Sequence, residues 1–214
     1  MISFLKKNNR ELVAGFTLLE LLISISIFAF MTAFLVSKYG TFNQGVLLTN
    51  LAYDTALTIR SAQSYGLNVQ GQATSSTAVG FNYAYGVHFD PAESKKFILF
   101  VDLCGDGLYR DVQQQPTCAD STTHLNEALS TYTLRTGFSI SSLCVGGSPA
   151  TCTSSSPTGY VLDVSFKRPN PDAVIISNQN TLAQQSYAKI TMKATDGSTK
   201  SIVVQSTGQI AVTN

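Results

Sequence analysis

The chain is poor in charge. Lys, Arg, Asp and Glu make up 13% of its 214 residues, and the formal net charge is +1. It has neither a polybasic tail nor an acidic run, so composition gives no case for nucleic acid as a partner. It has no tryptophan and only two histidines. His88 lies in an apolar, strand-like run and His124 in a polar segment. Neither stands with a Ser or Cys nucleophile and an orienting acid in a recognisable motif, so no enzyme is expected. There is no CxxC, and neither histidine flanks a cysteine at ligand spacing, which argues against zinc. No fixed-period repeat is present, which sets aside solenoids and propellers. Polarity comes instead from Ser, Thr, Gln, Asn and Gly, as suits an exported surface. The 12 Phe and 9 Tyr read mostly as core, and Lys95-Lys96 and Lys167-Arg168 as small solvated charge pairs.

Against this background stands one long apolar run. From Phe16 to Val36 the sequence FTLLELLISISIFAFMTAFLV carries a single charge, Glu20, and four hydroxyl residues, Thr17, Ser24, Ser26 and Thr32. As a helix it reaches roughly 30 Å, the thickness of a bilayer core. An isolated carboxylate there costs roughly 2.5–3.5 kcal/mol on insertion scales, which implies a purpose. Lys6, Lys7 and Arg10 precede the run. Basic residues held inside place the N-terminus in the cytoplasm and the rest of the chain outside. A secretory signal places its small-residue cleavage site after the apolar core. Here the small residue, Gly15, comes before it, so a cut there removes the charges and keeps the helix.

The stretch Gly15-Phe16-Thr17-Leu18-Leu19-Glu20-Leu21-Leu22-Ile23 resembles the class III signal of type IV pilins and type II secretion pseudopilins. The resemblance implies a leader, residues 1–15, that a prepilin peptidase removes after Gly15. It implies N-methylation of Phe16 as the new terminus and a role for Glu20 as the family's acid. On one helix Glu20 and the Phe16 amine share a face, so they can pair within a subunit. In filaments of the family the acid instead meets the terminal amine of a neighbouring subunit, which removes most of the cost of two unpaired charges in hydrocarbon. Removing Lys6, Lys7, Arg10 and Glu11 leaves 11 basic and 12 acidic residues, a net charge of −1.

Beyond the membrane run, residues 37–65 continue the helical pattern. Gly40 and Gly45 weaken it. Leu47, Leu48, Leu51, Ala52, Ala56, Ile59 and Ala62 then form an apolar stripe, with Asp54 and Arg60 off it, and Gly66 reads as a stop. The helix is therefore set at residues 16–66, with 16–36 crossing the membrane, and a β-rich exported domain at 67–214.

Residues 71–79 read as a polar connection. Strand signals follow at Tyr85–Phe89 and Phe97–Leu103, separated by the turn opening at Asp90-Pro91. From Tyr160 to Lys167 apolar and polar residues alternate, which predicts a strand with one solvent face. Ala173–Ser177 is a further short strand. Ala188–Ala194, the Asp196-Gly197 turn, Ile202–Gln205 and Gln209–Val212 predict a three-strand meander. The segment 148–157 reads as a loop. The fold class is α+β, a long N-terminal helix packed on an antiparallel sheet or sandwich. This order resembles pilins generally. The meander, with YGVHFD and FILFVDLCGDGLY, resembles the H-class pseudopilins and related minor pilins. Some of those relatives bind DNA through basic residues in the last hairpin, but Gly208-Gln209-Ile210-Ala211 has none.

Four cysteines, Cys104, Cys118, Cys144 and Cys152, fall in the exported part, and an even number there suggests disulfides. Three connectivities exist. The local one, Cys104–Cys118 with Cys144–Cys152, is favoured because each pair brackets a segment rich in turn residues. In DLCGDGLYRD, Asp102, Asp106 and Asp111 are hard oxygen ligands on a Gly-rich turn, as calcium prefers. The pattern is not an EF-hand, since Cys104 and Gln113 stand where ligands are needed. Two readings remain: a loose calcium site, the only cofactor suggested, or a strand-ending turn whose Asp side chains cap backbone groups.

The resemblance implies a structural subunit that waits as a single-pass protein of the inner membrane. It then enters a periplasmic or cell-surface filament of a type IV pilus or secretion pseudopilus. Its partners are the prepilin peptidase, the assembly platform and ATPase, and other pilin subunits. The alternative is a low-abundance tip subunit that binds DNA, a surface or an exported cargo.

Overall fold

A computed structural model describes residues 15–68, 71–73, 79–111, 126–146, 151–154, 159–178 and 184–214. The chain is α+β and divides into two compact units, the second of which begins at Asn43. A single helix, α1, runs fifty residues from Leu18 to Leu67, unbroken through Gly40 and Gly45.

In the first unit, Leu18–Ser37 is long and apolar enough to cross a membrane, and none of it is buried within the protein. Its hydroxyls are satisfied on the helix itself. Ser24 donates to the Glu20 carbonyl at 2.8 Å, Ser26 to Leu22 at 2.8 Å, and Thr32 to Phe28 at 2.6 Å. A polar side chain that bonds back one turn presents little unmet hydrogen-bonding capacity to lipid.

In the second unit, Leu48, Ala52, Ala56, Ile59 and Ala62 of α1 are buried in one core with both large sheets. These are members of the predicted stripe, and three are alanines, which let a helix lie close to a sheet. The helix ends at Leu67, one residue past Gly66, the predicted stop. A Cβ on Gly66 would stand 2.2 Å from the carbonyl oxygen of Phe166, and its own carbonyl accepts from Arg168 N at 3.0 Å. The glycine is needed for the close approach of helix to strand.

Two short strands, β1 (Gln72–Ala73) and β2 (Val79–Gly80), pair antiparallel where the sequence suggested only a connection. The first large sheet contains β3 (Ala84–Phe89), β4 (Lys96–Asp102), β5 (Ala128–Thr133), β8 (Leu162–Phe166) and β9 (Ala173–Ser177), in the order β5-β4-β3-β8-β9. The second contains β6 (Phe138–Val145), β7 (Thr151–Ser154), β10 (Tyr187–Ala194), β11 (Thr199–Gln205) and β12 (Ile210–Thr213), in the order β12-β11-β10-β6-β7. Every pairing is antiparallel. The predicted meander is β10-β11-β12, extended by β6 and β7. Part of the expected 148–157 loop is the strand β7, and Cys144 and Cys152 are register partners across β6 and β7.

The expectation of a solvent face on β8 is overturned. All five of its residues are buried, Asp163 and Ser165 included. The cause is the segment that follows β4. It folds over the outer face of the sheet and brings Gly107 against Ile176 and Ser165. Gly107 has φ +79°, and a Cβ there would stand 2.9 Å from Ile176 Cδ1.

Candidate functional site

The N-terminal determinants gather at the start of α1. Gly15 has no neighbour within 4 Å of a built Cβ, and Phe16 is 72% exposed. Thr17 stands just before the helix. Its Oγ1 accepts from the Glu20 N–H at 3.2 Å, its hydroxyl meets Glu20 Oε2 at 3.4 Å, and its carbonyl accepts from Leu21 N at 3.1 Å. Thr-x-x-Glu is the spacing of a capping box, in which the hydroxyl satisfies one of the free N–H groups of the first turn. A carboxylate there also meets the positive end of the helix dipole. The sequence reading gave Glu20 an assembly role and missed this local one, although Thr17-x-x-Glu20 was its signal.

The second concentration of chemistry lies over the first sheet. Asp102 ends β4 and is 2% exposed. Its Oδ1 accepts from Gly105 N at 2.5 Å and Asp106 N at 3.2 Å, and its Oδ2 from Gly107 N at 2.8 Å. Asp106 accepts from Leu108 N at 3.1 Å and from Arg110 Nε at 3.0 Å, and forms an ion pair with the Arg110 guanidinium. Behind them Glu127 is 1% exposed. Its Oε1 accepts from Leu103 N at 2.9 Å and Cys104 N at 3.3 Å, and its Oε2 from Arg110 N at 2.8 Å. Two buried carboxylates thus organise residues 103–110 through six backbone N–H groups. Burial raises both acids. Glu127 reaches about 7, pushed by desolvation and by the charge of Asp102 against its three N–H donors. Asp102 is raised by desolvation, opposed mainly by the Gly107 and Gly105 donors.

This geometry is that of a turn capped by acids. Asp102 and Asp106 spend their oxygens on backbone and on Arg110. Among the described residues no three His, Cys, Asp or Glu side chains come together as metal ligands. Asp111 lies on the wall of a cleft described below. Glu127 escaped the sequence reading because LNEALS gives no local sign that its acid is buried.

The loop also covers a histidine. His88 of β3 and Asp163 of β8 are register partners, with Nδ1 2.7 Å from Oδ1. The Tyr109 N–H donates to Asp163, and the Tyr109 ring lies 4.7 Å from the imidazole and 5.6 Å from Phe100. Burial works to lower the His88 pKa. The charge and hydrogen bond of Asp163, aided by Asp90 and Glu93, overcome it and hold it above the ordinary histidine value. Beside the pair lies a polar cleft of about 520 Å³, whose wall includes Asp90, Glu93, Lys96, Tyr109 and Asp111. Among the described residues no serine, threonine or cysteine lines it. The pair ties β3, β8 and the covering loop together.

Cys144 and Cys152 are joined, as the local pairing requires. Cys104 is disulfide-bonded, and its expected partner Cys118 lies outside the described residues, as does His124. Comparison with family models, curated proteins and solved structures returns no match.

Proposed function

We propose that the chain is a pilin-like structural subunit of a type IV pilus or a type II secretion-like pseudopilus. It is cleaved after Gly15, is methylated on Phe16, and assembles through its apolar helix. The observation that carries this reading is the division of labour along α1. The span Leu18–Ser37 has no buried residue, while the same helix from Leu48 onward is built into the core of the β domain. Exposed side chains such as Phe28, Phe30 and Leu35, each about 70% or more accessible after rounding, cannot rest in water. A bilayer covers them before assembly, and the helices of other subunits cover them afterwards. Glu20 is the one charge in that span. In the filament it pairs with the Phe16 amine of a neighbour and so sets the register of docking.

Before assembly the protein sits as a single-pass subunit in the inner membrane. Its partners are the prepilin peptidase, the assembly platform with its ATPase, and other pilin subunits. The filament then exposes the β domain in the periplasm or at the cell surface. Mass spectrometry of the protein purified from cells with an active prepilin peptidase tests the reading. The expected mature chain begins at Phe16 with one added methyl group. A chain that keeps Met1 in those cells, or is cut at another bond, overturns it. Glu20→Ala should leave cleavage intact and strongly reduce incorporation into sheared filaments; undiminished incorporation would remove the register role.

A further inference from the structure

The segment that covers the first sheet is fastened through side-chain carboxylates. Every peptide N–H from Leu103 to Arg110 is taken by one: three by Asp102, three by Glu127, and one each by Asp106 and Asp163. Among the described residues no main-chain group of 103–110 bonds to another main-chain group. Beneath the segment Ile98 and Phe100 are buried on the outer face of β4, outside the main core. The Tyr109 ring lies 5.6 Å from Phe100, and Ile98 shares the cleft wall with Leu108 and Tyr109. A cover with no ladder of its own can lift while the strands beneath stay paired.

The Tyr109 end of the cover meets the His88–Asp163 pair, whose side chains are 12% and 2% exposed. Two donors converge on Asp163, His88 Nδ1 and the Tyr109 N–H. The Tyr109 ring sits 4.7 Å from the imidazole, within the range at which a cation is drawn to an aromatic ring. A proton on His88 therefore strengthens both contacts, since the bond to Asp163 becomes charge-assisted. Loss of that proton leaves the Asp163 charge buried without a counter-ion, which is costly. Lifting Tyr109 lets water reach it. The other groups that face the imidazole are mostly acids: Asp90 and Glu93 after β3, and Asp111 on the cleft wall. Among the described residues Lys96 is the one lysine or arginine on that wall, and it pairs with Glu93 at 2.8 Å.

We propose that His88 is a proton-operated clasp for residues 103–110. With the imidazole charged, Tyr109 is held down and the cover is shut. With the imidazole neutral, the cover lifts at its Tyr109 end and uncovers Ile98 and Phe100, while the domain stays folded. The direction follows from linkage. The shut form binds the proton more tightly than free histidine does, so its advantage is full below the ordinary histidine value and is lost as pH rises through the raised one.

Hydrogen exchange of the full-length chain in proteoliposomes tests this. Exchange is read by mass spectrometry between about pH 5 and about pH 8.5 and corrected for the intrinsic rate at each pH. His88→Gln, which keeps a donor for Asp163 but never carries a charge, is measured alongside. Glu127 titrates in both chains, so the difference between them reads His88. Opening of 103–110 should rise with pH at least about threefold more in the unaltered chain than in His88→Gln. The β10 and β11 amides should show no such difference. An equal rise in both chains overturns the proposal, and so does a difference shared equally by β10 and β11. Should His88→Gln fail to fold, the unaltered chain with carbon-13-labelled histidine and tyrosine decides by nuclear magnetic resonance. The His88 imidazole and the Tyr109 ring should then shift with one midpoint; separate midpoints overturn the clasp.

Discussion

The two five-stranded sheets share one core and differ on their outer faces. Behind β3, β4 and β8 the outer face is covered. Asp102, Glu127, Asp163 and Ser165 are buried there under the 103–110 segment, and His88 nearly so. On the second sheet the register aligns Lys189 with Cys144 and Val203, Thr191 with Ser142 and Ser201, and Lys193 with Ser139 and Thr199. Among these Lys193 and Thr199 are exposed, Ser201 and Cys144 are buried and the rest are half-buried, so this face is open toward the β10–β11 turn. Thr191 and Ser201 meet hydroxyl to hydroxyl at 3.2 Å. Both sheets carry polar residues outward, so the pattern along a strand cannot tell them apart. What differs is whether an adjoining loop has acids placed to hold itself down.

The comparison breaks most readily at Asp102. Asp102→Ala removes the acceptor for Gly105, Asp106 and Gly107 and leaves those donors in a covered site. We expect a loss of about 3 kcal/mol or more, followed by tyrosine near-ultraviolet circular dichroism in urea, since the chain has no tryptophan. If the loss is below 1 kcal/mol, the cover is not held by this carboxylate.

Next comes the dependence on pH. Glu127 has a folded pKa of about 7, above its ordinary 4.5, so the folded state binds its proton more tightly than the unfolded state does. Its contribution is fully present below about pH 4.5 and is lost as pH rises through about 7. His88 acts in the same direction, since its folded pKa is also raised, and its share fades as pH passes above the ordinary histidine value. The domain should lose roughly 2–3 kcal/mol between pH 5 and pH 8. Glu127→Gln should flatten most of that slope and leave the histidine part. An unchanged slope would mean that Glu127 does not carry it.

On the open sheet, replacing both Cys144 and Cys152 by Ser removes a link that closes a short loop, at an expected cost of roughly 2–3 kcal/mol at any pH. The pH slope of the covered sheet should survive this change. Smallest of all, Lys193→Ala on the open face should stay within about 0.5 kcal/mol. A loss as large as that of Asp102→Ala would erase the distinction between the two faces.

The sequence carried the periodic parts of this fold well. The stripe Leu48, Ala52, Ala56, Ile59, Ala62 and the alternation around Ile190 and Met192 report burial directly, because one face of each element is apolar. Ala173–Ser177 was legible as a short apolar run. The β5 and β6 segments were not, since ALSTYT is mostly hydroxyl residues that suit strand and loop alike, and a Ser pair breaks the apolar alternation of FSISSLCV. β8 was located, but its second face was misjudged. The residues that cover it are distant in sequence, and alternation cannot register a loop arriving from elsewhere. The same blindness hid the pairing of His88 with Asp163, 75 positions apart. At the acidic loop the sequence offered ligands or caps, and only the positions of the N–H groups separate the two. At the helix start the Thr-x-x-Glu spacing was present but overshadowed by the membrane cost of its acid.

The Thr17–Glu20 arrangement lies wholly downstream of the 15/16 bond. The cut proposed there would therefore take away no group that bonds within the first turn, and the helix start at Leu18 would not depend on the residues removed.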